Sequence, residues 1–237
     1  MQVIVENDAN LAALAECLLG KGKTLGVGSL CMLTLGTGVG NGIVLNGKIF
    51  DGMNGMAGEA GHATIWADGH VCGCGSNGCL EQYASATAIR RLALEAIASG
   101  QASGLLALQQ HNPAFTARDV ADVARAGNLD AKAIFDIVGR SLGIGIGALV
   151  NTLNLPLYVV GGGVAEAWDL FAPKMFEELK HRSYVYRFTD GQLDKFGHRS
   201  AKTYVEPAEL GADSGILGAC LLPFTVGESD SQFQRAL

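Results

Sequence analysis

Between Gly58 and Tyr83 the chain reads Gly-Glu-Ala-Gly-His62 and, after nine intervening residues, Cys72-Gly-Cys74-Gly-Ser-Asn-Gly-Cys79-Leu-Glu81. Three of the six cysteines fall within eight residues, with His62 a short loop upstream. Glycines at 73, 75 and 78 permit the positive φ angles needed to fold three thiols around one point. His62, Cys72, Cys74 and Cys79 together match zinc's preference for four soft or borderline ligands in a closed tetrahedral site. A disulfide is the alternative, but Cys72 and Cys74 are too close to pair comfortably, and a cluster of three strands one thiol. A cysteine-rich surface loop without metal is the other. Zinc is the reading that uses all four side chains. Glu59 precedes His62 by three residues and Glu81 follows Cys79 by two, so closing the knot draws both carboxylates to one side. A histidine bound to metal through one ring nitrogen keeps the other for a hydrogen bond. The set suits a structural metal that presents polar groups to a polyol.

A second group of candidates precedes the knot. Asn7-Asp8 opens a helix expected from Ala9 to Leu19 and stopped by Gly20, and either residue can cap it. Asp8 can also serve as a base if an attacking hydroxyl comes within hydrogen-bond reach, and a helix N-terminus favours the ionised carboxylate. Gly36-Thr37-Gly38-Val39-Gly40-Asn41-Gly42 lies between expected strands at 29–35 and 43–45. It is neither a Walker loop nor a Rossmann fingerprint, since no Gly-Lys-Ser/Thr follows and a strand rather than a helix comes next. Such a turn can still offer successive backbone N–H groups to a phosphate. Gly161-Gly162-Gly163, at the carboxyl end of an expected buried strand (156–160), leaves room for a flat ligand on the backbone.

The elements that must position these groups follow from pattern. Gln2 to Glu6 reads as a short strand, Asn46-Gly47 as a tight hairpin turn, and Ala84 to Ser99 as a helix. Gln101 to Asn112 reads as a polar connection with at most one helical turn. Thr116-Ala-Arg-Asp119 is a capping-box start to a helix ending at Gly127. Asp130 to Leu153 is one long helix, with Gly143 and Gly147 a turn apart for close packing. Ala165 to His181 is helical with a break at Pro173. A last strand spans Lys202 to Glu206, a last helix Ala212 to Leu222, and Ser229 to Leu237 is a frayed tail.

Two motifs in register carry a family resemblance over nearly the whole chain. Glu-x-Gly-His followed by Cys-x-Cys-Gly-x-x-Gly-Cys-x-Glu, and Glu6-Asn-Asp-Ala-Asn-Leu-Ala-Ala-Leu-Ala-Glu16, resemble the hallmarks of the ROK family of sugar kinases and sugar-responsive repressors. The resemblance implies an α/β fold of the actin-like, ribonuclease-H-like type with an inserted zinc-binding loop at 58–83. It implies one catalytic domain over 1–223, with 224–237 a flexible tail. By the same resemblance Asp8 is the catalytic base, and Asn7, Glu59, His62 and Glu81 hold the sugar. Gly36, Thr37, Gly38 and Gly161 to Gly163 hold the nucleotide, and His62, Cys72, Cys74 and Cys79 hold zinc. Asn41 stands where the family more often has glycine. The implied reaction is transfer of the ATP γ-phosphoryl group, with Mg2+, to an aldohexose, glucose first and its 6-hydroxyl. The rival is the effector domain of a sugar-sensing repressor, or an inactive sugar-binding remnant. The family's usual Asp-x-Gly-Gly-Thr phosphate loop has no counterpart in the sequence, so the N-terminal half of the family fold is expected to be missing. Weak sugar binding and turnover near background are expected of the chain alone.

Composition agrees and excludes some classes. At 237 residues, with 49% hydrophobic and 17% charged residues, the chain is long enough for a proper core. A net charge of −6 argues against a nucleic-acid partner, even where 116–143 superficially mimics a helix-turn-helix. Cys17, Cys31 and Cys220 lie in apolar segments and read as small buried hydrophobes. The uncharged run from Ser141 to Ala165 is broken by Asn151, Asn154, Pro156 and glycines, which suits a buried helix and strand rather than a membrane span. A cytoplasmic protein, by resemblance a homo-oligomer, is the expectation.

Overall fold

The computed structural model describes residues 4–100, 102–191 and 201–225. Its centre is a five-stranded sheet. Strand β1 (Leu30–Leu35) lies antiparallel to β2 (Val39–Leu45), which pairs in turn with the short β3 (Lys48–Ile49). On its other side β1 runs parallel to β4 (Leu157–Gly161), and β4 runs parallel to β5 (Tyr204–Pro207). The strand order is β3-β2-β1-β4-β5. Asn46 (φ 52°) and Gly47 (φ 76°) close the β2–β3 hairpin, the left-handed pair that a two-residue turn requires.

Helices α1 (Asp8–Leu18) and α2 (Lys21–Leu25) precede the sheet. The short α3 (Glu81–Ala84), then α4 (Ala86–Ala98), α5 (Ser103–His111), α6 (Ala117–Arg125) and α7 (Leu129–Leu153), fill the stretch between β3 and β4. Helices α8 (Trp168–Arg182) and α9 (Tyr184–Phe188) follow β4, and α10 (Ser214–Thr225) follows β5. Alternation along β1 divides the two layers, because successive side chains of a strand leave opposite faces. Cys31, Leu33 and Leu35 join the larger core with Phe135, Leu142, Phe171 and Met175 of the α7–α8 pair. Leu30 and Met32 face Ala12, Ala13, Leu14 and Cys17 of α1, with Leu222 of α10. Helix α7 is long and apolar enough to cross a membrane by length and composition, yet its apolar side chains are mostly buried within this fold.

Several expectations are corrected. Ile4 to Glu6 form no strand among the described residues, and Val5 is exposed, since a strand needs a neighbour to pair with. Gln2, Val3 and the tail from Ser229 to Leu237 lie outside the described residues. The glycine turn is short: only 36–38 form it, and Val39 to Gly42 already belong to β2. The connection expected at 101–112 contains the nine-residue α5, held by one fully buried side chain, Leu105. Pro173 lies inside α8 without breaking it, flanked by Phe171, Ala172 and Met175, whose burial offsets the missing backbone bond. The close approach of α7 uses Gly139 and Gly143, where an added Cβ would meet the carbonyl oxygens of Phe171 and Met175; Gly147 makes only ordinary contacts. Cys17 and Cys31 are buried, but Cys220 is exposed on the outer side of α10.

Candidate functional site

The four proposed metal ligands come together. Their donor atoms all lie within 4.8 Å of one another. The Cys72 Sγ–His62 Nδ1 and Cys74 Sγ–Cys79 Sγ separations are both 3.6 Å. A tetrahedron with zinc–sulfur bonds of about 2.3 Å has edges of about 3.8 Å, so the donor set fits such an ion. No cysteine among the described residues is in a disulfide. Positive φ at Gly75 (92°) and Gly78 (66°) turns the loop back on itself; Gly73 is not left-handed. Burial pushes the Cys79 thiol up to about 12, with Cys74 and Cys72 adding to it, while the backbone of Ser76 draws the exposed Cys74 thiol down. Thiols packed this closely resist joint ionisation, and a bound dication is what reverses that penalty.

Around the knot, each sugar-side candidate is fixed by a different neighbour. His62 turns Nδ1 to Cys72 and Nε2 toward Glu59, whose Oε2 is 4.0 Å away. Glu81 accepts the Val39 N–H through Oε2 at 3.0 Å, and its Oε1 lies 3.9 Å from Cys72 Sγ. A Cβ on Gly38 would collide with Glu81 Oε2, so the close approach of carboxylate to turn requires glycine there. The first turn of α1 lies on the same strand: a Cβ on Gly40 would meet Ala9 Cβ at 3.0 Å, and one on Gly42 the Ala9 carbonyl oxygen at 2.5 Å. Gly58 sits over the Asn41 carbonyl oxygen, 2.5 Å from where its own Cβ would be. The beginnings of α1, the 58–62 segment and the 36–38 turn therefore meet at the leading half of β2.

The cap of α1 is Asn7. Its Oδ1 accepts the Ala9 N–H at 2.8 Å, leaving Asp8 as the first helical residue with an exposed side chain. Asn7 spends its oxygen on that bond, and Glu6 Oε1 receives both the Asn7 N–H and the Asn10 side-chain amide. The helix carrying Asp8 is anchored at its far end by a residue that sequence reasoning left without a role. Glu16 is fully buried, and its carboxylate accepts the N–H groups of Lys21, Glu209 and Leu210 at 3.1, 2.8 and 2.7 Å.

A cleft of about 430 Å³ opens beside the turn that follows β1. Gly36, Thr37 and Gly163 of the expected nucleotide set line it, with Ile89, Phe135 and Val164 as apolar walls. Gly161 and Gly162 do not; with Gly163 they line a smaller adjoining cleft of about 280 Å³ beside Ala208 and Gly211. Thr116, Arg118, Asp122, Arg125 and Glu166 also line the larger cleft and were missed from sequence. Arg125 forks onto Asp169 at 3.1 and 2.7 Å and donates to the Glu166 carbonyl at 2.8 Å, tying α6 to the segment after β4. The only local signal for this wall was the capping box of Thr116 and Asp119, which the structure contains.

Fold and site together describe an α/β domain whose candidate groups gather at the leading half of β2. Residues 1–225 match the ROK family, and the chain belongs to it. It is 40% identical over 222 residues to a glucokinase of Halalkalibacterium halodurans, covering 92% of this chain and 62% of that protein. It is thus similar to a relative of which it spans less than two thirds. A ROK family glucokinase from Streptomyces griseus, solved with glucose and AMPPNP, superposes with a TM-score of 0.74 at 30% identity, over 94% of this chain and 68% of that one. A xylose repressor of Caldicellulosiruptor bescii is 32% identical over 195 residues, covering 82% of this chain and 48% of the repressor.

Proposed function

We propose that the chain carries the base and the sugar- and ATP-binding groups of a kinase that transfers the γ-phosphoryl group of ATP to the 6-hydroxyl of an aldohexose, glucose first. The observation that carries this reading is the convergence on β2 of Asp8's helix start, the Glu59–His62 segment, Glu81 and the 36–38 turn. Asp8 takes the proton of the attacking hydroxyl while the sugar oxygen bonds to the γ-phosphorus. The bond from phosphorus to the β,γ-bridging oxygen breaks, and ADP leaves. Asn7, Glu59, His62 and Glu81 orient the sugar, and the turn at Gly36 to Gly38 with the glycines at 161–163 holds the nucleotide. Positioning carries much of such a reaction, since phosphoryl transfer asks little covalent chemistry of the protein. His62, Cys72, Cys74 and Cys79 would hold a zinc ion, which supplies closure of the loop; Mg2+ would arrive with ATP.

Calorimetric titration with glucose and with a nonhydrolysable ATP analogue tests the reading, followed by coupled assays on a panel of hexoses. Both ligands are expected to bind. Where turnover is measured, Asp8→Asn lowers kcat by about 10²–10⁴ with sugar affinity little changed. A kcat within about threefold of wild type, against that range, returns Asp8 to a structural role. The similarity to a xylose repressor motivates the second reading, a sugar-sensing regulator. Sugar binding without any nucleotide binding would favour it.

A further inference from the structure

The turn at 36–38 is fastened by a single stretch of chain, the one that begins two residues after Cys79. Glu81 takes the Val39 N–H. The Ala86 N–H, in the first turn of α4, donates to the Gly36 carbonyl oxygen at 2.8 Å. The Thr87 hydroxyl donates to the Thr37 carbonyl oxygen, also at 2.8 Å. Within the turn the Gly36 N–H closes on the Gly38 carbonyl oxygen at 3.0 Å. Among the described residues, the N–H groups of Thr37 and Gly38 then donate to no protein acceptor. They are adjacent donors at a bend whose carbonyls are all occupied, the arrangement in which a backbone nest binds an anion. Every bond that orients the bend from outside comes from residues 81–87, and that segment is itself held by the knot and by the Ser85 cap of α4.

We infer that Thr87 is a positioning residue for nucleotide phosphate. By fixing the Thr37 carbonyl its hydroxyl aims the free Thr37 and Gly38 N–H groups, and with Glu81 it makes nucleotide affinity depend on the knot. The inference rests on the kinase reading and adds to it a residue that touches neither sugar nor phosphate. Thr87 is exposed, so its replacement removes one hydrogen bond without opening a cavity.

Titration of the chain with a fluorescent ATP analogue, glucose calorimetry and thermal melts on the same preparations form the test. Thr87→Val is expected to weaken nucleotide binding about three- to tenfold, the effect of one well-placed hydrogen bond. Glucose affinity and melting temperature should stay at wild-type values, and Thr87→Ser should restore nucleotide binding. Glu81→Ala should weaken both ligands, because it removes a sugar contact and a turn contact together. If Thr87→Val binds the analogue as wild type does, or loses glucose affinity and melting temperature in parallel, the positioning role is overturned while the kinase reading stands. A wild-type chain that binds glucose but no analogue overturns both.

Discussion

Residues 58–83 and the α7–α8 pair are ordered by opposite means. In the helical pair, Phe135, Val138, Leu142, Ile146, Phe171, Met175 and Leu179 are all essentially inaccessible to water. Gly139 and Gly143 let the two backbones approach until side chains interdigitate. In the loop, Cys72, Cys79, Leu80 and Tyr83 are the buried apolar side chains among the described residues, and two of the four are thiols. Too little apolar area leaves water there to offset the entropy of fixing so many residues. Four donor atoms aimed at one point are what the loop has instead, and a bound ion would order it by coordination, whereas the helix layer is ordered by packing.

Removing the metal should break that division most sharply. A structural zinc contributes on the order of 10–16 kcal/mol of binding free energy that is also folding free energy. Chelation, or Cys74→Ser, is expected to release about one zinc per chain and to expose Trp66 of the loop to solvent. The far-ultraviolet circular dichroism of the helices should largely persist. Elemental analysis, tryptophan fluorescence and circular dichroism on one sample check this. Soluble wild-type protein without zinc would remove the metal, and helices that melt together with the loop would show that the two regions are one cooperative unit.

The converse experiment acts on the helix layer. Leu142→Ala should destabilise the fold by about 2–5 kcal/mol, the range for emptying a well-packed core site. Zinc content should remain unchanged, as read by denaturant melts with metal analysis. Loss of zinc in the folded variant would tie the knot to the core.

The smallest expected effect is at the α6 wall of the larger cleft. Thr116→Ala removes the cap of α6 and should cost about 0.5–2 kcal/mol. Asp119 and Asp169 sharpen this through pH. The Thr116 N–H and hydroxyl hold the Asp119 carboxyl below its ordinary value, and the Arg125 guanidinium does the same for Asp169. Both folded values lie below the unfolded one of about 3.9, so the stabilisation is complete above that pH and is lost as pH falls through the lowered values. Asp169→Asn should flatten the acid limb of the stability profile, measured by melts between about pH 2 and pH 6. An unchanged limb would show the Arg125 fork to be energetically silent.

What was legible in the sequence was local. The four candidate metal donors lie close along the chain, with glycines between them. Thr116 reaches Asp119 within one helical turn, and Asn46-Gly47 needs no partner beyond its own strands. The uncharged run from Ser141 marked the second half of α7 as a buried helix, since its residues there are mostly enclosed. The same reasoning missed α5, where Leu105 alone is fully buried and the other apolar residues, Leu106, Ala107 and Leu108, run on consecutively and show no helical spacing.

The relative placement of these pieces belongs to the tertiary structure. Sequence assigned Asp8 and Thr37 to one reaction, but only the packing of α1 on Gly40 and Gly42 brings the helix start to the strand that follows the turn. It offered no reason to join Glu16 to Glu209 and Leu210, Arg125 to Asp169, or Glu81 and Thr87 to the 36–38 turn. A carboxylate or hydroxyl can meet many backbone groups, and its own neighbours in the chain do not say which. The pairing of β1 with β2 and the packing of α4 beside them bring the Glu81 carboxylate to 3.0 Å from the Val39 nitrogen and the Thr87 hydroxyl to 2.8 Å from the Thr37 carbonyl oxygen. The types of chemistry were thus written in residue spacing, and their arrangement was decided by which surfaces the core could bury.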